Sequence, residues 1–248
     1  HAILQVPAKV DEFSSAIRQL ANPERRSVMV RDARLIVEEG YSWERISNQL
    51  GHLFCNRADF SRQRRPFFSV VIPTYERHQE LNILLTCLRD QVERDFEVIC
   101  VDQSENLWQN SEQDFGFPMR YFHSPVKGAV RARNTGAQLA EGEIIAFIDD
   151  DCRPESEWLF HARKYFDDPE NIGLEGLIYS DHDKDENWRR VTNIGFKGIG
   201  FMTANLFVRS AAFQVIGGFD LAFDQPHFRE DTDLGWRLQQ YGHIIYAH

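Results

Sequence analysis

From about residue 67 onward, short apolar runs alternate with stretches whose apolar residues recur every three or four positions. Residues 67–72 read as a buried strand that breaks at Pro73. Residues 80–91 follow as an amphipathic helix, with Leu81, Leu84, Leu85 and Leu88 on its inner face. The pattern then predicts strands at 96–101 and 120–123, a helix at 128–140 and a strand at 143–148 that runs straight into Asp149. Strand, helix, strand, helix, strand is the grammar of a parallel, doubly wound sheet. Such sheets bind ligands at the carboxyl ends of their strands. Three polar segments are therefore expected at one rim: Pro73-Thr74-Tyr75, Asp102-Gln103-Ser104 and Asp149-Asp150-Asp151. Beyond Pro154 the pattern predicts a helix through Phe166, a strand near 174–179 and a polar segment at 180–190. An apolar stretch at 199–208 and a last helix from Glu230 to about Tyr241 complete it.

The first 60 residues have a different texture. Asp11 opens a helix carrying Phe13, Ile17 and Leu20 on one face, and Asn22-Pro23 opens another that Gly40 closes. Ser42 begins a shorter one with Trp43, Ile46, Leu50 and Leu53 at helical spacing. The expected organisation is a helical extension at 1–60, a linker at 61–66 and an α/β domain at 67–248.

Composition narrows the function. Apolar residues make up 42% of the 248 and charged residues 27%, which is ordinary for a folded protein. A net charge of -10 leaves no basic excess to replace the counterions of a nucleic acid, so nucleic acid is not an expected partner. Cys55, Cys87, Cys100 and Cys152 form no CxxC pair, and Cys87 and Cys100 sit in apolar stretches as core residues, which favours the reducing cytoplasm. No apolar run approaches the roughly 18 residues of a membrane span, so membrane contact is expected at most peripherally, at the inner face. The nine histidines make no HxH or HExxH pattern, and neither GxGxxG nor a Walker sequence is present. Most of the scattered tryptophans are expected to pack, with Trp188 a candidate for stacking on a sugar.

Three consecutive aspartates closing an apolar strand repel one another unless a cation neutralises them. Hard carboxylate oxygens there suit Mg²⁺ or Mn²⁺, with phosphate oxygens and water filling the remaining positions. Asp102 ends the neighbouring strand, where a carboxylate either accepts from a base N–H or ribose hydroxyl or simply forms a turn. Arg131 and Arg133 lie two apart on one helix, so at most one of them is expected to face phosphates. Glu230 and Asp231 open the last helix, after the turn Gly217-Gly218-Phe219-Asp220, which is flexible enough to let backbone approach a ligand.

Six segments in order, Phe68 to Tyr75, Val101-Asp102, Ala132-Arg133-Asn134, Asp149-Asp150-Asp151, Gly217 to Asp220 and Glu230-Asp231, closely resemble family 2 glycosyltransferases across residues 67–248. The resemblance implies a GT-A fold: a Rossmann-like, mainly parallel mixed sheet flanked by helices. It implies an inverting, metal-dependent transferase that passes a sugar from a nucleotide donor, a UDP-sugar favoured, to a hydroxyl of a glycan or glycoconjugate in bacterial polysaccharide synthesis. Pro73, Thr74, Tyr75, Asp102 and Arg131 would meet the nucleotide-sugar, with Asp149 or Asp150 near the ribose. Asp151 and Asp149 would hold Mg²⁺ or Mn²⁺, and Asp231 matches the catalytic base with Glu230 beside it. The other reading keeps the fold as a catalytically silent nucleotide-sugar or glycan-binding domain. Glu76 and Gln103 depart from the family's usual residues, which leaves the base open. A family histidine ligand falls past this chain's last residue, His248, so a domain truncated at its carboxyl end is expected. Residues 39–46 resemble the tail of a family 4 (GT-B) glycosyltransferase, which implies a second transferase domain in a parent chain.

Overall fold

The computed structural model describes residues 65–111, 113–179, 193, 200–224 and 228–247. The helical segments expected in 1–60, the polar stretch at 180–190 and Trp188 lie outside the described residues.

The first half is a repeating strand–helix unit. β1 (Phe68–Thr74), α1 (His78–Arg89), β2 (Phe96–Asp102), β3 (Met119–His123), α2 (Ala129–Leu139) and β4 (Ile144–Phe147) follow in order. The second half comprises α3 (Trp158–Arg163), β5 (Asn171–Gly176), β6 (Leu206–Arg209), α4 (Ser210–Val215), α5 (Glu230–Leu238) and β7 (His243–Ala247). The seven strands among the described residues form one sheet in the order β3-β2-β1-β4-β6-β5-β7. The four strands of the first half run parallel, as their spacing predicts. β6 enters antiparallel to both β4 and β5, and β7 runs parallel to β5.

Alternation along each strand sends successive side chains to opposite faces. Phe68, Val70 and Ile72 of β1 join Val98 and Cys100 of β2 beneath Leu81, Leu84, Leu85 and Leu88 of α1. Val71, Ile99, Val101, Ile145 and Phe147 meet α2, α4 and α5 on the other face through Val130, Phe213 and Leu234. Both faces are covered, which is why these strands read as near-continuous apolar runs rather than alternating ones.

Several boundaries move. β1 continues through Pro73 to Thr74, because the pairing with β4 stops at Val71↔Phe147 and the missing N–H falls beyond that ladder. The helix expected from Pro154 starts only at Trp158, and the strand expected at 174–179 is β5. α4 and β7 are present without a distinct sequence signal. Cys100 is fully buried as expected, whereas Cys87 is only half-buried. Trp108 packs in the core, but Trp236 is exposed.

Candidate functional site

The acidic run follows β4 and forms a turn, with the Cys152 N–H donating to the Asp149 carbonyl at 3.1 Å. The turn splits the three carboxylates by environment. Asp150 points inward and is fully buried, accepting from Thr74 Oγ1 at the end of β1 at 2.7 Å. Asp149 and Asp151 stay open, with side chains 31% and 53% exposed. Burial pushes the Asp150 carboxyl up to about 6, and the flanking aspartates add to the rise; Thr74 and Arg77 act against it. Burial beside the same acids pushes the Cys152 thiol up to about 12.

Two arginines supply the charge that keeps this run together. Arg77, just before α1, donates through Nη1 to Asp151 Oδ2 at 2.7 Å and pairs with Asp150 Oδ1 at 3.1 Å. Arg133, on α2, donates through Nη2 to Asp149 Oδ1 at 2.8 Å. The same guanidinium reaches Glu230 Oε1 through Nη1 at 3.3 Å, so the end of β4 and the start of α5 share one buried cation.

Asp102 lies at the same rim, fully buried and in a closed network. Its Oδ1 accepts the Ser104 N–H at 2.9 Å, and its Oδ2 contacts His78 Nε2 at 2.8 Å and accepts from the Tyr121 hydroxyl at 2.7 Å. Burial works against its charge, but the hydrogen bonds from Ser104, Tyr121 and His78 win and hold the carboxyl below its ordinary range. Tyr75 is exposed beside it, its hydroxyl accepting from Lys127 Nζ at 2.7 Å while the ammonium stands 4.6 Å from the ring centroid. Gln103 fastens the loop that carries Lys127. Its Nε2 donates to the carbonyls of Val126 and Gly128 at 2.6 and 3.1 Å, and its Oε1 accepts the Gly128 N–H at 3.1 Å.

Gly128 has φ +137°, and a Cβ there would run into the Asp224 carboxylate. Asp224 is itself buried and accepts from Arg131 Nε at 2.9 Å. Arg131, expected to face phosphates, is thus tied down on one side with its side chain 46% exposed.

The segments leading into α5 hold one another. Asn134 donates to the Phe219 carbonyl at 2.8 Å and accepts the Phe219 N–H at 2.9 Å. Arg237 Nη1 donates to the carbonyls of Ile216 and Gly218 at 3.1 and 2.7 Å. Gly217 and Gly218, at φ +77° and +76°, therefore form a clamped turn after α4 rather than a flexible approach to a ligand. α5 opens at Arg229, which adopts a left-handed φ of 66°. Glu230 faces inward at 5% exposure, while Asp231 is half-buried and accepts from the Thr232 N–H at 2.7 Å. Burial and the neighbouring Glu230 raise the Asp231 carboxyl above its ordinary range, with Thr232 and Arg133 opposing.

The structure gathers Thr74, Asp149, Asp150, Asp151, Glu230 and Asp231 around Arg77 and Arg133, with Pro73, Tyr75 and Asp102 along the same strand ends. Arg77, Lys127 and Asp224 carry no signal in the sequence, and Gln103 stands out there only as a rim residue that departs from the family's usual one. Arg133 had a readable signal: with Val130 and Ala137 it lies on the core-facing stripe of α2, where an arginine needs buried partners. Among the described residues no group of three or more His, Cys, Asp or Glu converges as a metal cage. A divalent cation here would take two solvent-facing carboxylates, Asp149 and Asp151, and draw its other oxygens from elsewhere. That donor set suits Mg²⁺ or Mn²⁺.

The mixed sheet with its flanking helices has the GT-A fold of solved glycosyltransferases. Its solved counterparts include Staphylococcus aureus TarS 1-349, at TM-score 0.59 and 21% identity over 72% of this chain and 57% of that one. TarS 1-349 has also been solved in complex with UDP and with UDP-GlcNAc. A second is the mannosyltransferase PcManGT of Pyrobaculum calidifontis in complex with GDP-Man and Mn²⁺, at TM-score 0.58 and 18% identity over 81% of this chain and 64% of that one. The chain belongs to glycosyl transferase family 2, whose model matches residues 69–230. Among curated relatives, the pre-mycofactocin glycosyltransferase of Mycobacterium tuberculosis is 29% identical over 194 residues, 70% of this chain. The chain spans only 39% of that relative's length. No helix among the described residues is long and apolar enough to cross a membrane.

Proposed function

We propose that this domain transfers a sugar, with inversion, from a nucleoside-diphosphate donor to a hydroxyl of a glycan or glycoconjugate acceptor, in a reaction that depends on Mg²⁺ or Mn²⁺. The observation that carries the reading is the shared rim: two open carboxylates at the end of β4 stand one buried arginine away from the Asp231 turn of α5. The solved relatives bind UDP, UDP-GlcNAc and GDP-Man, and a UDP-sugar is the favoured donor here.

In this reading Tyr75 and Lys127 flank the nucleoside, and Pro73 and Thr74 shape the strand end beneath it. Asp102 acts through the side chains it holds, since His78, Tyr121 and Ser104 already engage both its oxygens. Arg131 lies toward the phosphates. Asp149 and Asp151 would hold the divalent ion, which when bound supplies charge stabilisation for the departing diphosphate. Arg77 must then release Asp151, an exposed contact that costs little to break. Asp231 takes the proton of the acceptor hydroxyl as that oxygen attacks the anomeric carbon, and its raised pKa strengthens it as a base. In this reading the reaction takes place in the cytoplasm, with at most peripheral contact at the inner face of a membrane.

A silent nucleotide-sugar or glycan-binding domain is the second reading, favoured by Arg77 already lying across Asp150 and Asp151. Calorimetry with UDP-, GDP- and dTDP-sugars, with and without Mn²⁺, separates the two when paired with a transfer assay. Metal-enhanced donor binding with turnover is expected. Metal-independent binding, or none, sinks the metal-dependent transferase; binding without turnover leaves the silent domain.

A further inference from the structure

Arg133 is 4% exposed and lies between carboxylates from two distant parts of the chain. One is Asp149 at the end of β4, 16 residues away; the other is Glu230 at the start of α5, 97 residues away. A guanidinium buried this deeply needs its partners, and removing either one strands a charge away from water. Glu230 is committed in the same way: its carboxylate is buried, with Arg133 on Oε1. A general base must reach the proton it takes. Adjacent residues on a helix point about 100° apart, so with Glu230 turned inward, Asp231 faces a different side and is only half-buried.

We infer that Glu230 and Arg133 are positioning residues: Glu230 takes no proton itself, and through Arg133 it locks the Asp231 turn of α5 to the Asp149 end of β4, so that base and donor site keep a fixed separation. The inference rests on Asp231 being the base. It assigns the two acidic residues at the start of α5 to different tasks. It also explains why Arg133, rather than its neighbour Arg131, sits on the buried stripe of α2. Loosening the lock misplaces the base relative to the donor without removing any group that touches either substrate. The loss should therefore fall on kcat rather than on donor affinity, since about 1 Å of misplacement costs of the order of 10²-fold.

The test is the set Glu230→Gln, Glu230→Ala, Arg133→Lys, the double variant Glu230→Gln/Arg133→Lys, and Asp231→Asn. Each is read by transfer kinetics and by calorimetric affinity for UDP with Mn²⁺. Glu230→Gln keeps an oxygen facing Arg133 and should lose about 10-fold in kcat; Glu230→Ala should lose about 10²-fold; UDP–Mn²⁺ affinity should stay within about threefold in both. The double variant should lose no more than the worse of its two single changes, because the pair acts as a unit. Glu230→Gln preserves volume and an oxygen toward Arg133, and Arg133→Lys keeps the positive charge while giving up the fork that spans both carboxylates, so both report even where Glu230→Ala does not fold. If Glu230→Gln abolishes transfer while Asp231→Asn retains it, Glu230 is the base, and both this inference and the assignment of Asp231 fall. If Asp231→Asn is inactive but Glu230→Gln, Glu230→Ala and Arg133→Lys keep full kcat, the lock is overturned and the base assignment stands. Independent, additive losses in the double variant also overturn it.

Discussion

Thr74→Val tests how the buried member of the acidic run is tolerated. Thr74 and Asp150 are both buried, and the Thr74 hydroxyl donates to Asp150 Oδ2 at 2.7 Å. Valine keeps the shape and removes the donor, leaving a buried carboxylate oxygen unpaired. A hydrogen bond to a charged group contributes about 1.5–3 kcal/mol, so about 2 kcal/mol of stability should go, or about 4–8 °C in Tm for a chain of this size. The loss depends on pH in a fixed direction. Asp150 titrates near 6 in the folded protein, above its ordinary 3.8, and the Thr74 bond lowers that value. Valine therefore raises it further. The difference between the proteins is full when Asp150 is ionised and fades as pH falls through about 6, because the protonated acid no longer needs the donor as strongly. Urea unfolding with EDTA at pH 8 and pH 5 should give a gap of about 2 kcal/mol that shrinks below about 1 kcal/mol. An equal gap at both pH values, or none at pH 8, would refute the account of Asp150 as a buried anion supported by Thr74.

Asp231→Asn should cut transfer by about 10²–10⁴-fold while leaving the Kd for UDP–Mn²⁺ almost unchanged. Asp231 must be ionised to act and its carboxyl sits above the ordinary range, so the acidic limb of the kcat profile should lie above that of a free aspartate; a limb at the ordinary position argues against Asp231. Arg77→Gln removes an exposed pair across Asp151 and should tighten Mn²⁺ binding about threefold by calorimetry, whereas weaker binding would mean that Arg77 assists the ion. Gly128→Ala places a methyl against the Asp224 carboxylate at a φ that alanine rarely adopts, and should destabilise by about 1–3 kcal/mol in urea titration.

The parallel half of the sheet was legible because its strands are buried on both faces and leave near-continuous apolar runs, interrupted only by Ser69 in Phe68 to Ile72 and by Glu97 in Phe96 to Val101. The rim was legible for the same reason: polar residues that abruptly end such runs fall at strand ends, and Thr74, Asp102 and Asp150 do lie there, buried. What sequence did not show is the order of the second half. β6 has four residues and no alternation, and its direction is set by pairing with β4 and β5 rather than by local pattern. Charge partners were equally hidden. Arg77 with Asp151 and Arg131 with Asp224 join residues 74 and 93 positions apart, and no local spacing encodes such contacts.

The reversed direction of β6 has a practical corollary. Its first residue, Leu206, lies opposite Phe147 at the acidic rim, and its last, Arg209, lies opposite Ile144 at the other edge. There Ser210 is fastened to Gly142 and Glu143. The opposite edge of the central strands thus carries anchoring contacts and none of the proposed site residues. A reporter dye or affinity handle on the exposed turn at Asp167 or Asp168 would sit on the side away from chemistry, and would leave the rim free for substrates to enter and leave.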